Sequence, residues 1–390
     1  MKMNAVLTSL AAGSAVLALI TAPASAQADL PADVVGAYRA YEAAADAEDV
    51  SAAADAATWA WRAAERGGVD ASTLAILADN AGQYLYADGR YEESLEAFER
   101  SGDLLEDVGG EPIEIAQTWR LAAEAAYRAQ DDRKAEALAD RAGDLVESLP
   151  QTPAHDFELS RARGVQSLAG WRRGSWRQAG RRGAEAFEAY QRAGGELSSD
   201  HALYAFYAGI EQTVERETTE AAWWLSVADY LFDQLDVPSD TGRAIRAWSE
   251  YGRGELSESE RIALMQRLSR EGFMDEPCID DCVEEAEPDW VAAFPGDAVI
   301  IDAAPIRRQA PTYPIDAAYA GLDGLALVRF DIDTDGRPQN IETVLSVPHA
   351  IFGEAAASAV RAWRYEPATV NGELVVRERV ATYFIFEMED

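Results

Sequence analysis

Between residue 33 and about residue 270 the chain is dominated by Ala, Glu, Arg and Leu, with few β-branched residues, a composition that favours helix. Helix breakers cut this stretch at hairpin-sized intervals: Gly67-Gly68, Asp88-Gly89, Gly109-Gly110, Pro150 and Pro153, Gly194-Gly195, and Pro238. Within the first piece Val34, Tyr38, Tyr41 and Ala45 recur at helical spacing and trace one apolar stripe. Short amphipathic helices joined by tight turns can bury their stripes only against one another, so the pattern predicts a stack of helical hairpins.

One stretch, Leu77 to Ser101, carries Gly82, Leu85, Gly89, Tyr91, Ser94, Phe98 and Ser101 in an order that resembles a tetratricopeptide unit. The physical sense is plain. Gly82 and Ser94 are small enough for two helices to approach, Gly89 turns the chain, and Tyr91 and Phe98 fill the gap between neighbouring pairs. Weaker copies place Trp119, Ala123, Ala126, Ala135, Ala139 and Ala142, then Gly174, Trp176, Ala179 and Ala186, in the same frame. The units recur at about 40 residues rather than about 34, so the fit is partial. The expectation for residues 30–270 is a mainly α, tetratricopeptide-like α-solenoid of about three to five helical pairs with a concave face. An unrelated helical array with the same Ala-rich packing is the other reading. Trp59, Trp61, Trp119, Trp171, Trp176, Trp223, Trp224 and Trp248 are expected in its core.

The first 26 residues read as a secretory signal. Lys2 is followed by an apolar run from Ala5 to Ile20, then Pro23 and Ala24-Ser25-Ala26, with cleavage expected after Ala26. The run is short of the ~20 apolar residues of a spanning helix, although an uncleaved inner-membrane anchor is the rival reading. Export agrees with reading the only two cysteines, Cys278 and Cys282, as a local disulfide rather than a metal site, since zinc needs about four ligands. Lys plus Arg is 34 against 69 for Asp plus Glu, a net charge of −35. Such a field repels nucleic acid and anionic membranes, so a membrane is expected to be met only indirectly.

Residues 271–304 change character: EPCIDDCVEEAEPDW is acidic and carries prolines and the cysteine pair, and it reads as a linker. From Pro305 the chain becomes β-rich. Ala326, Val328, Phe330 and Ile332 alternate with Leu327, Arg329 and Asp331. Asp335-Gly336 signals a turn, and Ile341 to Val347 a second strand. A helix is expected from Ile351 to Trp363 and a long third strand from Val375 to Met388. Residues 305–390 should therefore form a small α+β domain, a three-stranded antiparallel sheet with a helix.

Tyr313-Pro314, Gly321, Asp323-Gly324, Val328, Phe330, Asp335-Gly336, Ser346, Phe352, Ala355-Ala356, Ala359-Val360, Trp363-Arg364-Tyr365, Pro367 and Gly372 follow one another here in the order and spacing of a known family. This part of the chain resembles the TonB C-terminal domain. The resemblance implies binding rather than catalysis: a short extended segment of an outer-membrane receptor adds to the sheet's exposed edge as a strand. The third strand supplies the candidate edge, Val376, Arg377, Glu378, Arg379, Val380, Ala381, Thr382, Tyr383 and Phe384, its charges discouraging uncontrolled pairing while the backbone stays available. The alternative is that this edge is covered by the linker or the helical domain.

Two departures from the energy-transducing members bear on function. The N-terminal apolar segment lacks a histidine and looks cleavable, and helical repeats stand where those proteins carry a Pro-rich spacer. A periplasmic adaptor, with no cofactor and a protein or peptide partner such as a TonB-dependent outer-membrane receptor, is thus the leading expectation. An anchored energy-transducing transport component and a subunit of an envelope-remodelling enzyme are the alternatives. The oligomeric state is open. Asp331, Asp333, Asp335, Gly336 and Glu342 match a calcium-loop pattern, but strands flank it and Pro338 lies inside it, so a hairpin turn is expected. Nucleophile-elbow, zincin, P-loop and dinucleotide motifs are absent. His155 is expected in a loop, His201 at a helix start and His349 just before the last helix.

Overall fold

The structure is a computed structural model that describes residues 31–234, 240–254, 256–274, 294, 298–320, 322–347 and 350–388. The proposed signal peptide, the Cys278–Cys282 disulfide and His349 lie outside the described residues. Among the described residues twelve helices lie in the segment read as repeats: α1 (Ala32–Asp46), α2 (Val50–Gly67), α3 (Ala71–Ala87), α4 (Tyr91–Val108), α5 (Pro112–Arg128), α6 (Asp132–Glu147), α7 (Pro153–Arg172), α8 (Trp176–Ala193), α9 (Ser199–Val214), α10 (Thr218–Gln234), α11 (Asp240–Gly254) and α12 (Glu258–Glu271). The chain divides into two compact units. One holds the helices up to Ala169 together with Glu185–Gly195; the other holds Gly170–Ala184 and everything from Glu196 onward.

Local chemistry sets the helix ends of the first unit. The carboxylates of Asp49, Asp70 and Asp131 accept the N–H groups of Ala52, Thr73 and Lys134, capping α2, α3 and α6. Gly68 and Gly109 close α2 and α4 in the left-handed conformation that a side chain would strain. His155 is a correction to the sequence reading. Pro153 does not hold a loop but opens α7, where its missing N–H costs nothing, and Thr152 Oγ1 accepts the His155 N–H at 3.1 Å.

The α3–α4 hairpin closes on small residues. Ser94 Oγ donates to the Gly82 carbonyl at 2.8 Å, and a Cβ on Gly82 would stand 2.7 Å from the Phe98 ring. Gly102 of α4 receives the Trp119 ring of α5 in the same way. Phe98 is fully buried, and Tyr91, partly buried, meets Tyr86 of α3 edge-on at 5.3 Å between ring centroids. In α7 and α8, Ser160 Oγ donates to the Ala186 carbonyl at 2.7 Å. Trp59 also departs from expectation: it is 53% exposed because Trp61, two residues on and on the other side of the helix, takes the inward position.

In the second unit α9 and α10 pack closely, Gly209 admitting Leu225, and α11 and α12 both lie against α10. The C-terminal domain follows, with β1 (Ile300–Ile301), β2 (Ala304–Arg307), α13 (Ile315–Ala320), β3 (Gly324–Ile332), β4 (Pro338–Val347), α14 (Ala350–Arg361), β5 (Arg364–Glu366), β6 (Thr369–Val370), β7 (Glu373–Leu374) and β8 (Arg377–Phe386). Its main sheet is antiparallel and ordered β4-β3-β8. Ala326, Val328, Phe330 and Ile332 pack on Phe352, Ala356 and Val360 of α14, with Trp363, Tyr365 and Phe386 completing the core.

The domain reaches further back than residue 305. Ile300 and Ile301 pair with Val370 and Thr369, and Ala304 and Pro305 pair with Glu366 and Tyr365. These strands are too short and too exposed to show an alternating pattern, so part of 271–304 read as linker.

Candidate functional site

β3 is the central strand, and nearly every residue in it is buried. The side chains that face away from α14, Leu325 and Leu327, are as inaccessible as those that face it. A near-continuous apolar run such as GLALV is what a strand covered on both faces requires. That leaves the two flanking strands as the sheet's edges.

The edges are not equivalent. β4 begins at Pro338, which has no N–H to offer, and its register against β3 shifts twice, with Asn340 at φ 50° in the second irregularity. β8 shifts once, between Phe330 and Ile332, and then pairs without interruption from Val380 to Phe386. At that shift Glu378 and Arg379 form a bulge, and Arg379 adopts φ 59°. Asp331 holds it: its Oδ1 accepts the Arg379 N–H at 2.9 Å while its Oδ2 accepts from Asn340 Nδ2 at 2.8 Å. One carboxylate on the central strand therefore ties irregularities on both neighbours.

Of the predicted edge residues, Arg377 to Phe384 lie in β8, and Val376 precedes it and is exposed. Arg377 is half-buried; burial holds its guanidinium below the ordinary arginine value, against the pull of Asp302 at 3.0 Å. Val380 and Phe384 join the core on the α14 side, Phe384 meeting Trp363 at 5.6 Å between ring centroids. Tyr383, opposite Leu327, points the other way, against Trp248 at 5.8 Å and Tyr251 at 5.5 Å. Among the described residues β8 pairs with β3 alone, so the other side of its backbone carries no strand. The aromatic cover supplied by α11 was missed from sequence, though Trp248 and Tyr251, one helical turn apart, and the both-faces-apolar β3 were its signals.

The acidic turn serves the hairpin. Asp333 Oδ1 accepts the N–H groups of Asp335 and Arg337 at 2.9 and 2.8 Å, and these bonds outweigh burial to hold its carboxyl below the usual range. Glu342 pairs with Arg329 at 2.9 Å. Gly336, at φ 72°, lies so close to Tyr365 that a Cβ would sit 1.8 Å from its carbonyl oxygen. His201 caps its helix through Ser198, whose N–H reaches Nδ1 at 3.1 Å; burial pushes its imidazole down to about 4.

Residues 309–388 match the family model described as Gram-negative bacterial TonB protein C-terminal. The Protein TonB of Pseudomonas aeruginosa is 35% identical over 88 residues, 23% of this chain and 25% of that protein. The Protein TonB of Escherichia coli is 34% identical over 71 residues, 18% of this chain and 30% of that protein. The chain thus spans between a quarter and a third of the length of these relatives. The solution structure of the Pseudomonas aeruginosa TonB CTD is 36% identical, covering 23% of this chain and 89% of that one, with a TM-score of 0.21.

Proposed function

We propose, from the premise that residues 309–388 carry a TonB-type C-terminal domain, that this protein is a periplasmic binding adaptor and not an enzyme. Its β8 edge takes a strand from an envelope protein, an outer-membrane receptor in the first place, and its helical array engages a second partner. The observation that carries the reading is the uninterrupted run of β8 from Val380 to Phe386 at the end of the sheet, backed by side chains on both faces. A strand edge of that length presents a row of alternating N–H and C=O groups, which is what an extended peptide needs to extend a sheet.

No helix among the described residues is long and apolar enough to cross a membrane. Adaptor rather than motor-coupled transducer is favoured by the signal-like N-terminus and by helical repeats in place of a Pro-rich spacer.

Disulfide cross-linking tests the reading. Single cysteines are placed at Thr382 on β8 and, as a control, at Thr343 on β4, in a full chain lacking Cys278 and Cys282. Each is oxidised against ten-residue peptides copied from the periplasmic N-terminal extensions of outer-membrane receptors, with one cysteine scanned along the peptide. Strand addition gives adducts at Thr382 whose yield alternates with a period of two. Uniform yields, or adducts at Thr343 alone, refute it.

A further inference from the structure

β8 meets the helical array at its centre and just beyond its C-terminal end. At its centre the Tyr383 ring meets Tyr251 edge-on at an interplanar angle of 78° and Trp248 at a tilt of 44°; Trp248 and Tyr251 also touch each other, at 6.1 Å. Trp248 is fully buried. Just beyond the strand, Glu387 forms an ion pair with Arg177 of α8, a residue that also faces Glu215. At the other end Arg377 is paired with Asp302, and Asp331 holds the bulge. All of these residues belong to the second compact unit.

We infer that Trp248 and Tyr251 are positioning residues for the docking edge: through Tyr383 the last helices of the array hold β8 in the conformation that accepts a strand. This rests on β8 being that edge. The physical reason is preorganisation. A terminal strand bonded to one neighbour frays readily, and a partner that must order it loses affinity in doing so. The three-ring cluster removes that loss in advance without touching the backbone groups that the partner uses. It also makes the helical array part of the binding site, although it offers the incoming strand no hydrogen bond.

The inference is tested on the full chain by hydrogen exchange without peptide and by titration with the receptor-derived peptides. Tyr251→Ala should speed exchange of the β8 amides at 380–386 about tenfold, with the α14 amides at 350–361 unchanged, and weaken peptide binding about tenfold, the weight of one edge-to-face ring pair at about 1.4 kcal/mol. Tyr251→Phe, which keeps the ring, should restore both. Tyr383→Leu removes the same contact from the strand side and guards against a variant that merely unfolds α11. Unchanged β8 exchange in both Tyr251→Ala and Tyr383→Leu overturns the inference. So does an affinity loss that Tyr251→Phe fails to rescue. If no peptide binds the wild-type chain, the docking reading fails by itself, and the exchange comparison still decides whether α11 holds β8.

Discussion

Asp331 accepts the backbone N–H of Arg379 at 2.9 Å, at the one point where β8 leaves its regular register with β3. An arginine at φ 59° is in the left-handed region, which costs an L-residue about 1–2 kcal/mol. Arg379→Gly should therefore stabilise the C-terminal domain by about 1 kcal/mol, read as a higher urea midpoint. Arg379→Val should lower it, because a β-branched side chain suits that conformation worst. Equal midpoints for the three chains would show that the bulge is unstrained.

Two glycines at positive φ separate conformational strain from collision. Gly372 has φ 82° and open space around the position of a Cβ; Gly336 has φ 72° and the Tyr365 carbonyl oxygen 1.8 Å from that position. Gly372→Ala should cost only the backbone penalty, about 1 kcal/mol. Gly336→Ala should in addition break the contact between the hairpin and β5 and abolish the cooperative melt of the C-terminal domain, read by near-ultraviolet circular dichroism.

Charge burial in the first unit gives a third comparison. Arg120 is buried between Glu124 at 2.7 Å and Glu158 at 2.6 Å. Arg120→Met strands the buried Glu158, while Glu124 keeps Arg161 at 2.9 Å, and should cost about 3–5 kcal/mol. Arg62→Met removes a partner of the exposed Glu96 and should change the unfolding free energy by less than about 1 kcal/mol.

Asp79 lies in α3, and burial pushes its carboxyl up to about 6, opposed by the Gln83 hydrogen bond and by Arg120. An acid whose folded value is raised binds more protons folded than unfolded. Its contribution is therefore most favourable below the ordinary carboxyl value, and stability is lost as pH rises through about 6. His201, held down to about 4, acts with the opposite sign over much of the same window: its contribution is complete above the ordinary histidine value and lost as pH falls toward 4. Asp79→Asn removes only the first contribution. The difference in denaturation midpoint between variant and wild type should thus grow in favour of the variant from pH 4 to pH 7, and a flat difference would contradict the buried carboxyl.

Much of this fold is legible in the residues, for identifiable reasons. Gly82 with Phe98 is a small-against-large contact whose partners are close in sequence, and the Asp335-Gly336 turn carries its own chemistry. Short exposed strands such as Ile300–Ile301 have no period to detect, and they pair with residues about 70 positions away. The candidate edge was legible as a strand because Val380 to Phe386 alternates between faces. Its attachment to α11 was not, since no local pattern says which distant ring Tyr383 will meet. His155 was misplaced because a proline was taken as a break where it was a helix start.

The most direct measurement is hydrogen exchange of the full chain, with and without saturating receptor-derived peptide. Slower exchange concentrated in the β8 amides at 380–386 is the expected result, because only those backbone groups gain partners when a strand is added there. Protection confined to β4, or spread over the helices with β8 untouched, would contradict a docking edge at β8.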